Sequence, residues 1–293
     1  MEIKGDQSNS VGRPDLVKYS FSEGDAKVLD YKPEVLRDNV PVVIVPGWSE
    51  NEQTYRKTAE VIYRSGRRVL SIGQSITNRE STEGGELVAR NYPEVELKKA
   101  QILLKVFEDF GVEKADVVAH SEGAINILMA AILRPDLFRN IVLDKPAGLI
   151  GRDTKSALMG RFMRLLVQEA MLRPKLFTDP TSSIRAGTRT ALYIAANPVR
   201  VIKEMNAITT FEITDLMKAL HNHGITFSVI SGVNDPLFPV KRQIEYMREN
   251  GTPSIEGYYS VVGGHNELSI HADKHAALAI NALDSLQRVR SSR

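Results

Sequence analysis

The hydroxyl of Ser121, the imidazole of His265 and the carboxylate of Asp235 are the side chains whose types and settings could do chemistry together. A serine hydroxyl is a poor nucleophile at neutral pH until a base takes its proton in the transition state, and imidazole suits that task. A carboxylate behind the imidazole would hold its tautomer and stabilise its charged form. The three occur in the order Ser121, Asp235, His265, each shortly after an apolar run that reads as a buried strand: Ala115–Val118, Ile225–Ile230 and Gly257–Val262. The carboxyl ends of parallel strands are where such a sheet opens its ligand crevice.

The setting of Ser121 is the most informative. Ala119-His120-Ser121-Glu122-Gly123 follows a strand pattern and opens the apolar helix pattern Ala124–Leu133. Strand, sharp turn and helix form the context of a G-x-S-x-G elbow, in which small residues let strand and helix pass closely while the serine stands clear of the sheet. Gly123 keeps the second glycine and Ala119 replaces the first. Standing alone, a serine at a helix start is equally an N-cap.

With these residues in place, the chain resembles the α/β-hydrolase family over nearly all its length. The resemblance implies the triad Ser121, Asp235 and His265. It also implies an oxyanion hole formed by two backbone N–H groups, from Glu122 just after the serine and from Trp48 in Pro46-Gly47-Trp48-Ser49. In the family a His-Gly-x turn supplies the second donor; here proline stands for the histidine. Two converging donors are needed because negative charge develops on the carbonyl oxygen as it becomes tetrahedral. Trp48, the single tryptophan, also reads as a packed aromatic beside a turn. Asp144 is the alternative triad acid, since some members place it after the strand that follows the elbow helix. Asn234-Asp235-Pro236 is a good turn in its own right. His120 reads as packing or pocket lining; His221 and His223 end a helix on the far side from the proposed crevice, and His271 and His275 lie within the final helix, which begins near Glu267.

The elements that must position these groups alternate. Leu16–Phe21 and Ala26–Tyr31 read as a hairpin, Val40–Val45 and Arg67–Ile72 as parallel strands, and Asn51–Ser65, Glu94–Phe110, Ile208–His223 and Val240–Glu249 as helices. The expected fold class is α/β, a mostly parallel central sheet of about eight strands flanked by helices, the α/β-hydrolase fold with a helical cap inserted. The expected division is core over 1–148, helical cap over 149–205 and core again over 206–293. Residues 73–93 read as a long polar loop beside the site. The cap's charges lean basic, the mark of a solvated face or of an anionic substrate group.

Composition bounds the rest. A chain of 293 residues, 42% hydrophobic and 25% charged, is that of a globular protein with a sizeable core. A net charge of +2 implies neither a nucleic-acid nor an anionic-membrane partner. There is no cysteine for a disulfide or a thiolate, and the N-terminus lacks the apolar stretch of a secretory signal, so a cytoplasmic protein without a membrane span is expected. No metal or cofactor is expected, because H-E-x-x-H, Walker and G-x-G-x-x-G spacings are all missing. The resemblance implies a serine hydrolase of carboxylic esters, including lactones, with a small-molecule ester as its partner. An acyltransferase, a carbon–carbon bond hydrolase or a perhydrolase would use the same triad, and a hydrolase-like binding protein is the alternative outside catalysis. The sequence leaves the oligomeric state open.

Overall fold

The computed structural model describes residues 14–76, 92–172, 188, 190–251 and 255–292. Its strands are β1 (Asp15–Ser20), β2 (Gly24–Tyr31), β3 (Asp38–Val45), β4 (Arg67–Ile76), β5 (Ala115–His120), β6 (Phe138–Asp144), β7 (Thr226–Gly232) and β8 (Ile255–Val261). They form one eight-stranded sheet in the order β1-β2-β4-β3-β5-β6-β7-β8. The β1/β2 and β2/β4 pairs are antiparallel, and every other pair is parallel.

The parallel strands are nearly continuous runs of β-branched and apolar residues because both faces are covered. Alternation then divides them. Val43, Val45, Val117, Ala119, Ile141 and Leu143 face one core, and Val42, Ile44, Val118 and Val142 face the other. The first core is covered by α2 (Glu94–Asp109), α3 (Gly123–Leu133) and α6 (Thr214–Asn222), the second by α1 (Arg56–Arg64) and α9 (Ala272–Ser291). Between β6 and β7 lie α4 (Lys155–Leu172), a helical stretch over 190–196, and α5 (Pro198–Thr210). α7 (Val240–Asn250) and the single-turn α8 (Glu267–Ile270) complete the set. The chain runs outward in opposite directions from β3, to β4 on one side and β5 on the other, so the switch point of the sheet lies between β3 and β5.

Several boundaries differ from the sequence reading for local reasons. The helix expected from Asn51 begins at Arg56, because Asn51 folds back as a turn: its side-chain oxygen accepts from Gln53 N and its carbonyl from Thr54 N. The strand expected over Arg67–Ile72 runs on to Ile76, paired with β2 as far as Gly24. Of the expected polar loop, residues 77–91 lie outside the described residues. The helix expected over Ile208–His223 is two helices. Phe211 is extended, Ile213 N donates to the Gly148 carbonyl, and the Thr209 and Thr210 hydroxyls turn back on carbonyls of their own helix. α5 therefore runs through residue 205, where the sequence reading ends the insertion. His271 separates α8 from α9 in what reads as one final helix.

Candidate active site

Ser121 sits between β5 and α3 with φ of 53°, a left-handed conformation that costs a non-glycine residue about 1–3 kcal/mol. Backbone bonds hold it there. Ser121 N donates to the Asp144 carbonyl at 3.0 Å, and its own carbonyl accepts from Ala124 N and Ala147 N, both at 3.1 Å. Two glycines make room for the turn. A Cβ at Gly123 would stand 2.6 Å from the Pro46 carbonyl oxygen, and one at Gly47 would stand 2.9 Å from Ser121 Cβ. The elbow and the turn after β3 thus abut at the switch point of the sheet.

His265 follows β8 and Asp235 follows β7, and the structure brings both to Ser121. His265 Nδ1 lies 2.8 Å from Asp235 Oδ2, and His265 Nε2 lies 3.1 Å from Ser121 Oγ. With Nδ1–H donating to the carboxylate, Nε2 presents its lone pair to the serine O–H. Asp235 is fixed in turn: its Oδ1 accepts from Leu237 N at 2.8 Å and from Phe238 N at 3.2 Å. Burial pushes the Asp235 carboxyl up, but the His265 charge and hydrogen bond and these two backbone donors hold it below the usual carboxylate value. All three side chains are buried, Ser121 at 7% exposure.

Asp144, the alternative acid, is engaged elsewhere. Its Oδ1 accepts from the buried Lys145 Nζ at 2.8 Å, and its Oδ2 lies 3.8 Å from His120. His271 and His275 both neighbour Glu267. His120 does more than the packing that the sequence suggests. Its Nε2 donates to the His265 carbonyl at 3.0 Å, and its Nδ1 lies 3.1 Å from Glu50 Oε2 and 2.6 Å from Tyr55 Oη. The Tyr55 hydroxyl also reaches Glu50 Oε2, at 2.5 Å, so the phenol, the imidazole and the carboxylate form one buried hydrogen-bonded group. Burial alone would lower the His120 pKa, but the Glu50 charge raises it. Burial likewise opposes Glu50, yet His120, Tyr55 and Gly47 N–H hold its carboxyl down at about 2. Glu50 also fixes the turn after β3, accepting from Gly47 N at 2.7 Å. Nothing in the local sequence marks Glu50 or Tyr55, whose partners arrive from β5.

Trp48 and Glu122, the residues expected to supply the oxyanion hole, flank Ser121 on these two adjoining turns. Among the described residues neither backbone N–H donates to a protein acceptor. The Trp48 indole meets Phe162 and Tyr193 edge-on, with ring centroids 5.7 and 6.0 Å apart. Its Nε1 donates to Glu204 Oε2 at 2.8 Å. Below it lies a cluster that the sequence gives no sign of. Lys99 Nζ is 2.8 Å from Glu122 Oε1, 2.9 Å from Glu204 Oε1 and 3.8 Å from Glu96 Oε1, and all four residues are buried. Burial would lower the Lys99 pKa, but the three carboxyls raise it well above normal. Burial, followed by the charge of Glu122, raises the Glu96 carboxyl well above its usual value, and neither Glu96 oxygen has a hydrogen-bond partner. Glu96 therefore favours its protonated form more strongly than an exposed glutamate does.

Among the described residues, no group of three or more histidine, aspartate or glutamate side chains is placed to hold a metal, and no helix is long and apolar enough to cross a membrane.

No protein-family model matches the chain, and no curated protein matches it in sequence. Solved structures do match it. A thermophilic esterase from Thermogutta terrifontis aligns with a TM-score of 0.63 at 15% identity, over 93% of this chain and 99% of that one. An enol-lactonase from Burkholderia xenovorans LB400 gives 0.64 at 13% identity, over 92% and 100%. An alpha/beta hydrolase from a Medee basin deep-sea metagenome library gives 0.63 at 16%, over 92% and 97%. At these identities the likeness is one of fold.

Proposed function

The chain has the α/β-hydrolase fold, and from that premise we propose that it is a serine hydrolase of carboxylic esters, lactones among them. The observation that carries this reading is the unbroken chain Ser121 Oγ to His265 Nε2 at 3.1 Å and His265 Nδ1 to Asp235 Oδ2 at 2.8 Å. In this mechanism Ser121 Oγ attacks the ester carbonyl carbon while its proton passes to His265 Nε2. The carbonyl π pair moves onto oxygen, and that oxyanion is met by the Trp48 and Glu122 N–H groups. Collapse breaks the bond to the alkoxy oxygen, which leaves with the proton from His265 as the alcohol. A water then gives a proton to His265, attacks the acyl-serine and releases the carboxylic acid, and the proton returns to Ser121. Asp235 keeps His265 in the one tautomer that can take and return this proton.

The segment 149–205 acts as a helical cap over this crest. Its Phe162 and Tyr193 packed on Trp48 support that role, as does Arg161, whose guanidinium reaches the Leu237 carbonyl beside Asp235 at 3.0 Å. An esterase and an enol-lactonase among the similar structures agree with an ester or lactone substrate. The test is hydrolysis of short p-nitrophenyl esters and of a small lactone series by the protein and by Ser121→Ala. Turnover confined to the unaltered protein is expected, and undiminished turnover by the alanine variant would overturn the assignment.

A further inference from the structure

The side chains of the two residues that would offer the oxyanion donors are both tied to Glu204, that of Trp48 directly and that of Glu122 through Lys99. The Trp48 indole donates to Glu204 Oε2 at 2.8 Å. Glu122 Oε1 is joined to Glu204 Oε1 through the Lys99 ammonium, 2.8 Å from the one and 2.9 Å from the other. The Tyr193 hydroxyl closes the arrangement at 2.6 and 2.7 Å from the two Glu204 oxygens. Glu204 is fully buried and belongs to α5, between β6 and β7, whereas Trp48 and Glu122 belong to the turns after β3 and β5.

Burying an ammonium among three carboxyls is an expensive way to hold helices together, since apolar residues of similar volume usually pack at least as stably. What such a network supplies is direction. An indole fixed at Nε1 and a glutamate fixed at its carboxylate leave their own peptide units little freedom to rotate, and those peptides carry the two N–H groups beside Ser121. Their aim matters, because misplacing a catalytic group by about 1 Å can cost on the order of 10²-fold in rate.

We infer that Glu204 is a positioning residue for the oxyanion hole, holding Trp48 directly and Glu122 through Lys99, so that the hole is assembled only when α5 is seated. The inference rests on the serine-hydrolase reading of Ser121. Glu204 touches no reacting atom in this scheme; it acts through the two peptides.

The test compares the unaltered protein with Glu204→Ala, Glu204→Gln, Trp48→Phe and the exposed neighbour Lys203→Ala. Each is assayed for p-nitrophenyl acetate hydrolysis, for inhibition by phenylboronic acid, whose tetrahedral serine adduct places an oxygen in the hole, and for thermal unfolding. Glu204→Ala is expected to lower kcat by about 10²-fold, the loss typical of one misdirected oxyanion donor, with KM within about twofold, as expected when only transition-state binding is lost. Its phenylboronic acid Ki should rise by the same factor as kcat/KM falls. Glu204→Gln keeps an acceptor for Trp48 and should recover part of the loss, and Lys203→Ala should match the unaltered protein.

Trp48→Phe keeps the ring and removes only the N–H, so it decides the matter should Glu204→Ala fail to fold; a kcat loss of about tenfold with unchanged KM is expected. A folded Glu204→Ala or Trp48→Phe with kcat and boronate affinity within twofold of the unaltered protein overturns the inference. So does a loss confined to KM. An unaltered protein that neither turns over esters nor binds the boronate at Ser121 overturns the serine-hydrolase reading itself, and that outcome is read before any variant is made.

Discussion

On one flank of Ser121 a single carboxylate, Asp235, faces a single imidazole and is completed by two backbone N–H donors. On the other flank three carboxyls, from Glu96, Glu122 and Glu204, crowd one ammonium, and one of them has no hydrogen-bond partner. The first cluster is short in reach, with each member just past the end of its strand, and every buried polar atom of its acid is satisfied. The second draws on α2, the start of α3 and α5, and it leaves an acid uncompensated. A satisfied pair holds one proton-transfer geometry; an over-filled one is tense, and its stability depends on how many protons it carries. On the proposed mechanism the two sides of Ser121 are thus expected to fail differently: the Ser121–His265–Asp235 side in rate with little change in stability, the charge cluster in stability first.

The largest expected effect breaks the triad side. Asp235→Asn keeps the shape but loses the carboxylate that selects the His265 tautomer, and kcat should fall by about 10⁴-fold. Steady-state ester hydrolysis checks it, with urea unfolding run alongside. A comparable loss of stability without loss of rate would erase the distinction between the flanks.

Next in size is Lys99→Met. It strands buried carboxylates without their counter-charge and should destabilise the protein by about 3–5 kcal/mol at neutral pH, read from the urea midpoint. The deficit should shrink as pH falls and the carboxyls protonate.

The smallest is also the most discriminating. Glu96 has a folded-state value raised well above its ordinary 4.5, so the folded protein keeps a proton that the unfolded chain releases above that pH. The contribution of Glu96 to native stability is therefore fully present below 4.5 and is lost as pH rises through the folded value. Glu96→Gln copies the protonated form without the titration. It should raise Tm by about 3 °C near pH 7 and leave it unchanged near pH 4. A Tm that drops equally at both pH values would contradict a raised Glu96 value.

The flanks also differ in how far the sequence foretells them. Ser121 and His265 are legible because each sits at a strand-to-turn junction with a glycine within two residues, and Asp235 because an Asn-Asp-Pro turn follows a run of buried residues. The sheet is legible for the same reason: Val42–Val45 and Val117–Val118 have no polar face to offer water. The charge cluster is not legible. Glu96 and Lys99 fall at i and i+3 of one helix but meet partners from two other elements, and the Trp48 to Glu204 bond spans 156 residues. No local pattern encodes such a pairing. Glu50 and His120 escape for the same reason, since the two meet only once the turn after β3 closes on β5. The break at Phe211–Ile213 depends on the Gly148 carbonyl, which a helix propensity cannot see.

The measurement that tests the central claim most directly is intact-protein and peptide mass spectrometry after treatment with a stoichiometric fluorophosphonate. A nucleophile activated by His265 and met by two oxyanion donors should give a single adduct, located on Ser121, formed on the folded protein and lost in Ser121→Ala and on prior unfolding. A folded protein that stays unlabelled, or that carries the adduct at another residue, would contradict the account.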